Sequence, residues 1–180
     1  MKKYLVLALC LLIVTIGHAQ NYTEYFANKT LRVDYIFTGD ASCQNVCLDE
    51  LSVLPSWAGR HQHLAELPLQ GNGQIIMKDL ESGKTVYTTS FSSLFQEWLE
   101  TDEAKVVSKG FENTFLLPYP LRPVEIEITL LSPRKEVRTC LKHTVRPNDV
   151  LIHQKGTAHI TPHKYLLKSG ETDKCIDVAI

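Results

Sequence analysis

The stretch VEIEITLLSPRKEVRTCLKHTV, residues 124–145, decides the fold class. Val124, Ile126, Ile128 and Leu130 alternate with Glu125, Glu127 and Thr129, the two-residue period of a strand with one buried face. After Ser132-Pro133-Arg134-Lys135 the alternation resumes. Val137, Leu141 and Val145 then share a face with Thr139 and His143. A loop over 132–135 pairs Leu131 with Glu136. That register sets Ile126 opposite Leu141 and Glu125 opposite Lys142, with His143 inside beside Val124. Apolar side chains meet on one face and opposite charges on the other, so the segment is predicted to be an antiparallel hairpin.

The same alternation extends outward along the chain. LRVDYIFTG puts Leu31, Val33, Tyr35 and Phe37 on one face and Arg32 and Asp34 on the other, and ends at Gly39-Asp40. GQIIMKDLESGKTVYTTSF reads as a second hairpin, with Gly83 supplying the positive φ of its turn. In SFSSLFQEWLETDEAK, Phe91, Leu94, Phe95, Trp98 and Leu99 fall at helical spacing, with Ser90 placed as the cap. Short strands, Gly/Pro-punctuated turns and one or two brief helices predict a mainly β chain, an antiparallel β-sandwich of immunoglobulin-like type. An open sheet with a helix on one face is the alternative.

Residues 1–19, MKKYLVLALCLLIVTIGHA, combine Lys2 and Lys3 with an apolar run and small residues at Gly17 and Ala19. This is the pattern of a secretory signal peptide, so export to the periplasm, cell surface or medium is expected. The run is shorter than the roughly 20 apolar residues of a spanning helix. Leu9 before Cys10 argues against lipoprotein processing. The remaining residues, about 160, suit one domain with a sizeable core. With 19 basic and 20 acidic side chains and no basic stripe, electrostatics gives no case for nucleic acid. Asn21-Tyr22-Thr23 and Asn28-Lys29-Thr30 match the short glycosylation sequon, a weak signal.

Candidate chemistry is sparse. Cys43, Cys47, Cys140 and Cys175 remain after signal cleavage, and an oxidising compartment permits disulfides in three full pairings. Cys43 and Cys47 can bridge if SCQNVC is a loop and cannot if it is a straight strand. Zinc needs convergent, repeated ligands, and only one close cysteine pair is present. His61 and His63 have the spacing that points both rings to one side of a strand, without a third ligand. His143 reads as a hydrogen-bonded core histidine, and His153, His159 and His163 fall in a loop-rich stretch. There is no HExxH, no GxSxG elbow and no phosphate-binding glycine loop. LPSWAGR and FLLPYPLRP offer Trp57, Arg60 and Tyr119 as a candidate partner surface; the competing reading packs the aromatic rings of these stretches under loops at the sandwich rim.

Read in order, LRVDYIFTGD, LDELSVLPSWAGR, LAELPLQGNGQIIMKD, TSFSSLFQEWLETDEA, GFENTFLLPYP, TVRPNDVLIH and TPHKYLLKSG resemble the N-terminal domain of secreted bacterial IgA-peptidase-type zinc metallopeptidases. The resemblance implies a domain over residues 20–170. It also implies that KCIDVAI, within 171–180, is a linker and the first strand of a truncated peptidase domain. Cys175, Ile176, Val178 and Ile180 then become a candidate domain interface. Catalytic and metal-binding residues are expected to be absent from the chain, with zinc in the following domain. The expected partners are the peptidase domain of the same protein and a protein substrate. Without a following domain, the same sandwich reads instead as a stand-alone binding module for a glycan or surface protein.

Overall fold

The computed structural model describes residues 21–67, 70–156, 164–167 and 169–170 of the 180. The signal-peptide segment and residues 171–180, with Cys175, Ile176, Val178 and Ile180, lie outside the described residues.

A one-turn helix, α1 (Tyr22–Tyr25), precedes β1 (Phe26–Gly39) and β2 (Gln44–Leu54). The hairpin β3 (Gly73–Asp79) and β4 (Thr85–Phe91) leads into α2 (Leu94–Trp98) and a 3-10 turn at Glu103–Lys105. Then come β5 (Lys109–Pro120), β6 (Val124–Leu131), β7 (Val137–Val145) and β8 (Ile152–Gln154). They form two four-stranded sheets, ordered β5-β1-β2-β8 and β4-β3-β6-β7. Every pairing is antiparallel except β2 with β8. The chain is a β-sandwich.

Strand parity builds the core. Leu31, Val33, Tyr35 and Phe37 of β1 are fully buried, as are Ile75 and Met77 of β3 and Ile126, Ile128 and Leu130 of β6. Each such side chain stabilises the fold by roughly 1.5–3 kcal/mol relative to exposure. Rings lock the sheets together: Phe37 meets Phe91 at 5.9 Å and Phe26 meets Tyr87 at 6.4 Å between centroids. Where β1 meets β2, Asp34 pairs with Glu50 and Tyr35 with Leu48. Asp49 is thus the extra residue of a bulge.

The decisive hairpin forms with its register shifted by two residues, and its faces are as expected except at Val137, which was expected inside and is 65 % exposed next to the bulge. Val124 pairs with Val145, Ile126 with His143, Glu127 with Lys142 and Ile128 with Leu141. The loop is longer than expected: Ser132 N donates to Glu136 O at 2.8 Å and Lys135 N to Ser132 O at 2.8 Å. A bulge at Leu130/Leu131 lets Leu131 pair with Val137 rather than Glu136. A two-residue slide preserves parity, so Ile126 stays buried while Lys142 stays outside. The expected Glu125–Lys142 contact is replaced by Lys142 Nζ to Glu127 Oε2 at 2.9 Å.

The helix cap also differs. Ser90 lies in β4 opposite Gln74, and Ser93 is the residue whose side chain accepts from Gln96 N. Phe95 and Leu99 are buried, whereas Leu94 is exposed.

Candidate functional site

The candidate partner residues Trp57, Arg60 and Tyr119 sit on or beside the 55–67 loop and at the end of β5. Thr88 N, on the outer edge of β4, donates to Leu64 O at 2.8 Å, so this loop covers the edge strand. Arg60 holds it there. Its Nη2 donates to Leu64 O at 3.2 Å, to Glu66 O at 3.1 Å and to Thr88 O, and its guanidinium lies 5.2 Å from the Tyr87 ring centre. Trp57 is 9 % exposed, donates from Nε1 to Arg60 O at 3.1 Å and meets Tyr87 edge-on. Gly59 makes room for it, since a Cβ there would lie 2.2 Å from the indole. Burial pushes the Tyr87 phenol up, against the opposing pull of Arg60. Tyr119 Oη donates to Pro147 O at 2.5 Å, and burial raises its pKa as well. The polar groups of all three side chains are thus directed at the domain's own backbone.

The most buried titratable contact spans the two sheets. Tyr35 Oη on β1 and His143 Nε2 on β7 share a hydrogen bond at 2.7 Å. His143 Nδ1 is buried and has no hydrogen-bond partner among the described residues. Burial alone pushes the Tyr35 phenol far up and lowers the His143 imidazole to about 4. His143 is a half-buried, hydrogen-bonded histidine on the inward side that its strand parity suggests.

The other histidines scatter. His61 and His63 do not lie on a strand: His63 takes φ 52°, His61 packs on Tyr22 at 4.3 Å, and His63 Nδ1 contacts Glu66 Oε1 at 2.9 Å. His153 belongs to β8 rather than a loop and contacts Glu50 Oε1 at 3.2 Å; Lys155 Nζ contacts the same oxygen at 2.9 Å. That contact with Lys155 is the main reason the Glu50 carboxyl is held below its usual range.

Cys43, Cys47 and Cys140 are free and exposed. Cys47 lies within β2, and the extended backbone carries it away from Cys43. A zinc site needs at least three convergent donors, and no such group of His, Cys, Asp or Glu exists among the described residues. Among the described residues, no helix is long and apolar enough to cross a membrane.

Asp40 illustrates how the polar residues are used. Its Oδ1 accepts from Ser42 N at 2.9 Å and Cys43 N at 3.1 Å, and its Oδ2 accepts from Ser108 Oγ at 2.8 Å. These bonds, the Ser42 hydroxyl foremost, hold its carboxyl far below the usual range. They fix the β1–β2 turn to the segment before β5.

The architecture defines a β-sandwich module whose described polar clusters chiefly brace turns and strand edges. Residues 21–142 match the family model described as peptidase M64 N-terminus, and the chain belongs to that family. The match runs from α1 into β7. A search of curated proteins found no match.

Proposed function

We propose that this chain is the non-catalytic N-terminal accessory domain of a secreted zinc metallopeptidase of the IgA-peptidase type. In this reading it packs on the peptidase domain of the same protein or helps present a protein substrate, and zinc resides in the peptidase domain. The observation that carries the reading is the family match, which covers residues 21–142 and describes a region N-terminal to a peptidase. The lack of an HExxH in the sequence agrees with it. Residues 1–19 support export to the periplasm, cell surface or medium.

The test compares the parent peptidase with and without residues 21–156, on a folded protein substrate and on a short peptide. An accessory domain predicts at least a roughly ten-fold fall in kcat/KM on the protein substrate while zinc content is retained. Unchanged activity on both substrates would support an independent binding module instead.

A further inference from the structure

We infer that one end of the sandwich, marked by Leu80, Leu121, Val150 and Leu151, is the surface on which the peptidase domain of the same protein docks. The inference rests on the accessory reading above and adds the surface.

Strand register places these residues together. Asp79, Val124 and Val145 form one row across β3, β6 and β7. Leu80, Pro123 and Arg146 therefore leave the sheet at the same end, and Leu80 N donates to Pro123 O at 3.0 Å. The other sheet reaches this end through Ala27 and Tyr119, which pair across β1 and β5. Leu121 N donates to Tyr25 O at 2.8 Å, and Tyr119 Oη ties the 146–151 turn to the same place through Pro147 O.

That turn has a defined shape. Asp149 N donates to Arg146 O at 2.9 Å, Leu151 N to Asp149 Oδ1 at 3.0 Å, and Ile152 N to Asp149 O at 3.1 Å. Ile152 is buried, while Val150 and Leu151 stay 91 % and 71 % exposed. Leu121 and Leu80 beside them are 50 % and 47 % exposed. Large apolar side chains grouped at one end of a domain mark an interaction surface.

The exit of the chain selects the occupant. The last bond of β8 is Lys155 N to Val53 O at 3.2 Å, next to the Thr30–Leu54 pair that closes β1 against β2. The chain thus leaves β8 at this end, from which residues 156–170 lead toward a following domain. Tethering raises its effective concentration, so a small apolar patch is enough to hold it. The opposite end also exposes Leu94, Val106 and Val107, but β8 does not leave the sandwich there.

Hydroxyl-radical footprinting tests this by comparing the 180-residue chain with the parent that includes the peptidase domain. Leu80, Leu121, Val150 and Leu151 should be modified several-fold more slowly in the parent, with Leu116 and Val137 on the sheet surfaces unchanged. The double variant Val150→Asp/Leu151→Asp, whose exposed sites leave the isolated chain's unfolding midpoint intact, should abolish the protection of Leu80 and Leu121. Protection of Leu116, Val137, Leu94 or Val106 instead, with the inferred end still reactive, would overturn the inference and leave the accessory reading standing. Equal reactivity everywhere, with activity indifferent to deletion of residues 21–156, would sink both.

Discussion

His143 should make this domain lose stability in mild acid, before its carboxylates titrate. The folded imidazole is lowered to about 4 from 6.5 because burial beside Tyr35 and Ile126 disfavours the cation. Between those two pH values the unfolded chain binds more protons at this site than the folded chain. Stability is therefore full above pH 6.5 and falls as pH drops toward 4, where the contribution levels off. The interval corresponds to about 3 kcal/mol at most. Urea unfolding at half-unit steps from pH 7.5 to 4.5 reads it directly. Wild type should lose most of that amount across the series, whereas His143→Leu should stay nearly flat. At pH 7.5 His143→Leu leaves the Tyr35 hydroxyl buried without its hydrogen-bond partner, at a cost of about 1–3 kcal/mol. Tyr35→Phe/His143→Leu should recover part of that loss. The carboxylates held low, Glu127 by Lys142 and Asp79 by Ser82, act mainly below about pH 4.5, outside the window. Parallel pH curves for wild type and His143→Leu, or an NMR titration of His143 centred near 6.5, would refute the reasoning.

Other outcomes follow from the same contacts. Arg60→Ala removes the donor shared by three backbone carbonyls and should cost about 2–3 kcal/mol in thermal or urea unfolding; Arg60→Lys should rescue little, because an ammonium lacks the planar fork. Ile126→Ala, at a fully buried site, should cost about 2–5 kcal/mol, while Val137→Ala on the exposed arm of the same hairpin should stay within about 0.5 kcal/mol. Glu127→Gln removes the partner of both Lys78 and Lys142 and should cost about 1 kcal/mol or less, shrinking with added salt; no salt dependence would contradict the bridging geometry. Cys43, Cys47 and Cys140 should all react with a thiol reagent in the folded chain without prior reduction, and protection of both Cys43 and Cys47 would show a bridge that the β2 backbone does not allow.

The parts of the fold legible in the sequence are those where one strand face is consistently apolar. Leu31 to Phe37, Ile75 with Met77, and Val124 to Leu130 alternate without interruption, and each lies in a strand as expected. Two long strands were harder to read. In β2 the extra residue Asp49 breaks the period between Val46 and Leu51, and acidic side chains hide it further. In β5 the run Phe115-Leu116-Leu117 is apolar on both faces, and Pro118 and Pro120 make the segment resemble a loop. The three residues of β8 are too few for any period. The hairpin's faces followed from composition, but its register depended on a bulge and on Lys135 adopting φ 64°, which alternation does not encode.

The candidate site residues divide along the same line. The inward parity of Tyr35 and of His143 could each be read from its own strand, whereas their contact depends on how two sheets stack. Arg60 reads as a surface residue in the sequence because its acceptors are backbone carbonyls of Leu64, Glu66 and Thr88, which leave no side-chain signature. Val150 and Leu151 are apolar residues in the sequence, and only the Asp149-centred turn leaves them exposed. Serine could have flagged α2 correctly at Ser93, three residues before Gln96, in place of Ser90.

The central claim is that this domain serves a peptidase without performing the chemistry. Zinc content and protein hydrolysis, measured together on the purified segment 20–180, test it most directly, with the parent peptidase as the positive control. The account predicts less than stoichiometric zinc after dialysis and no hydrolysis above buffer. One tightly held zinc per chain, accompanied by hydrolysis that a chelator abolishes, would contradict it.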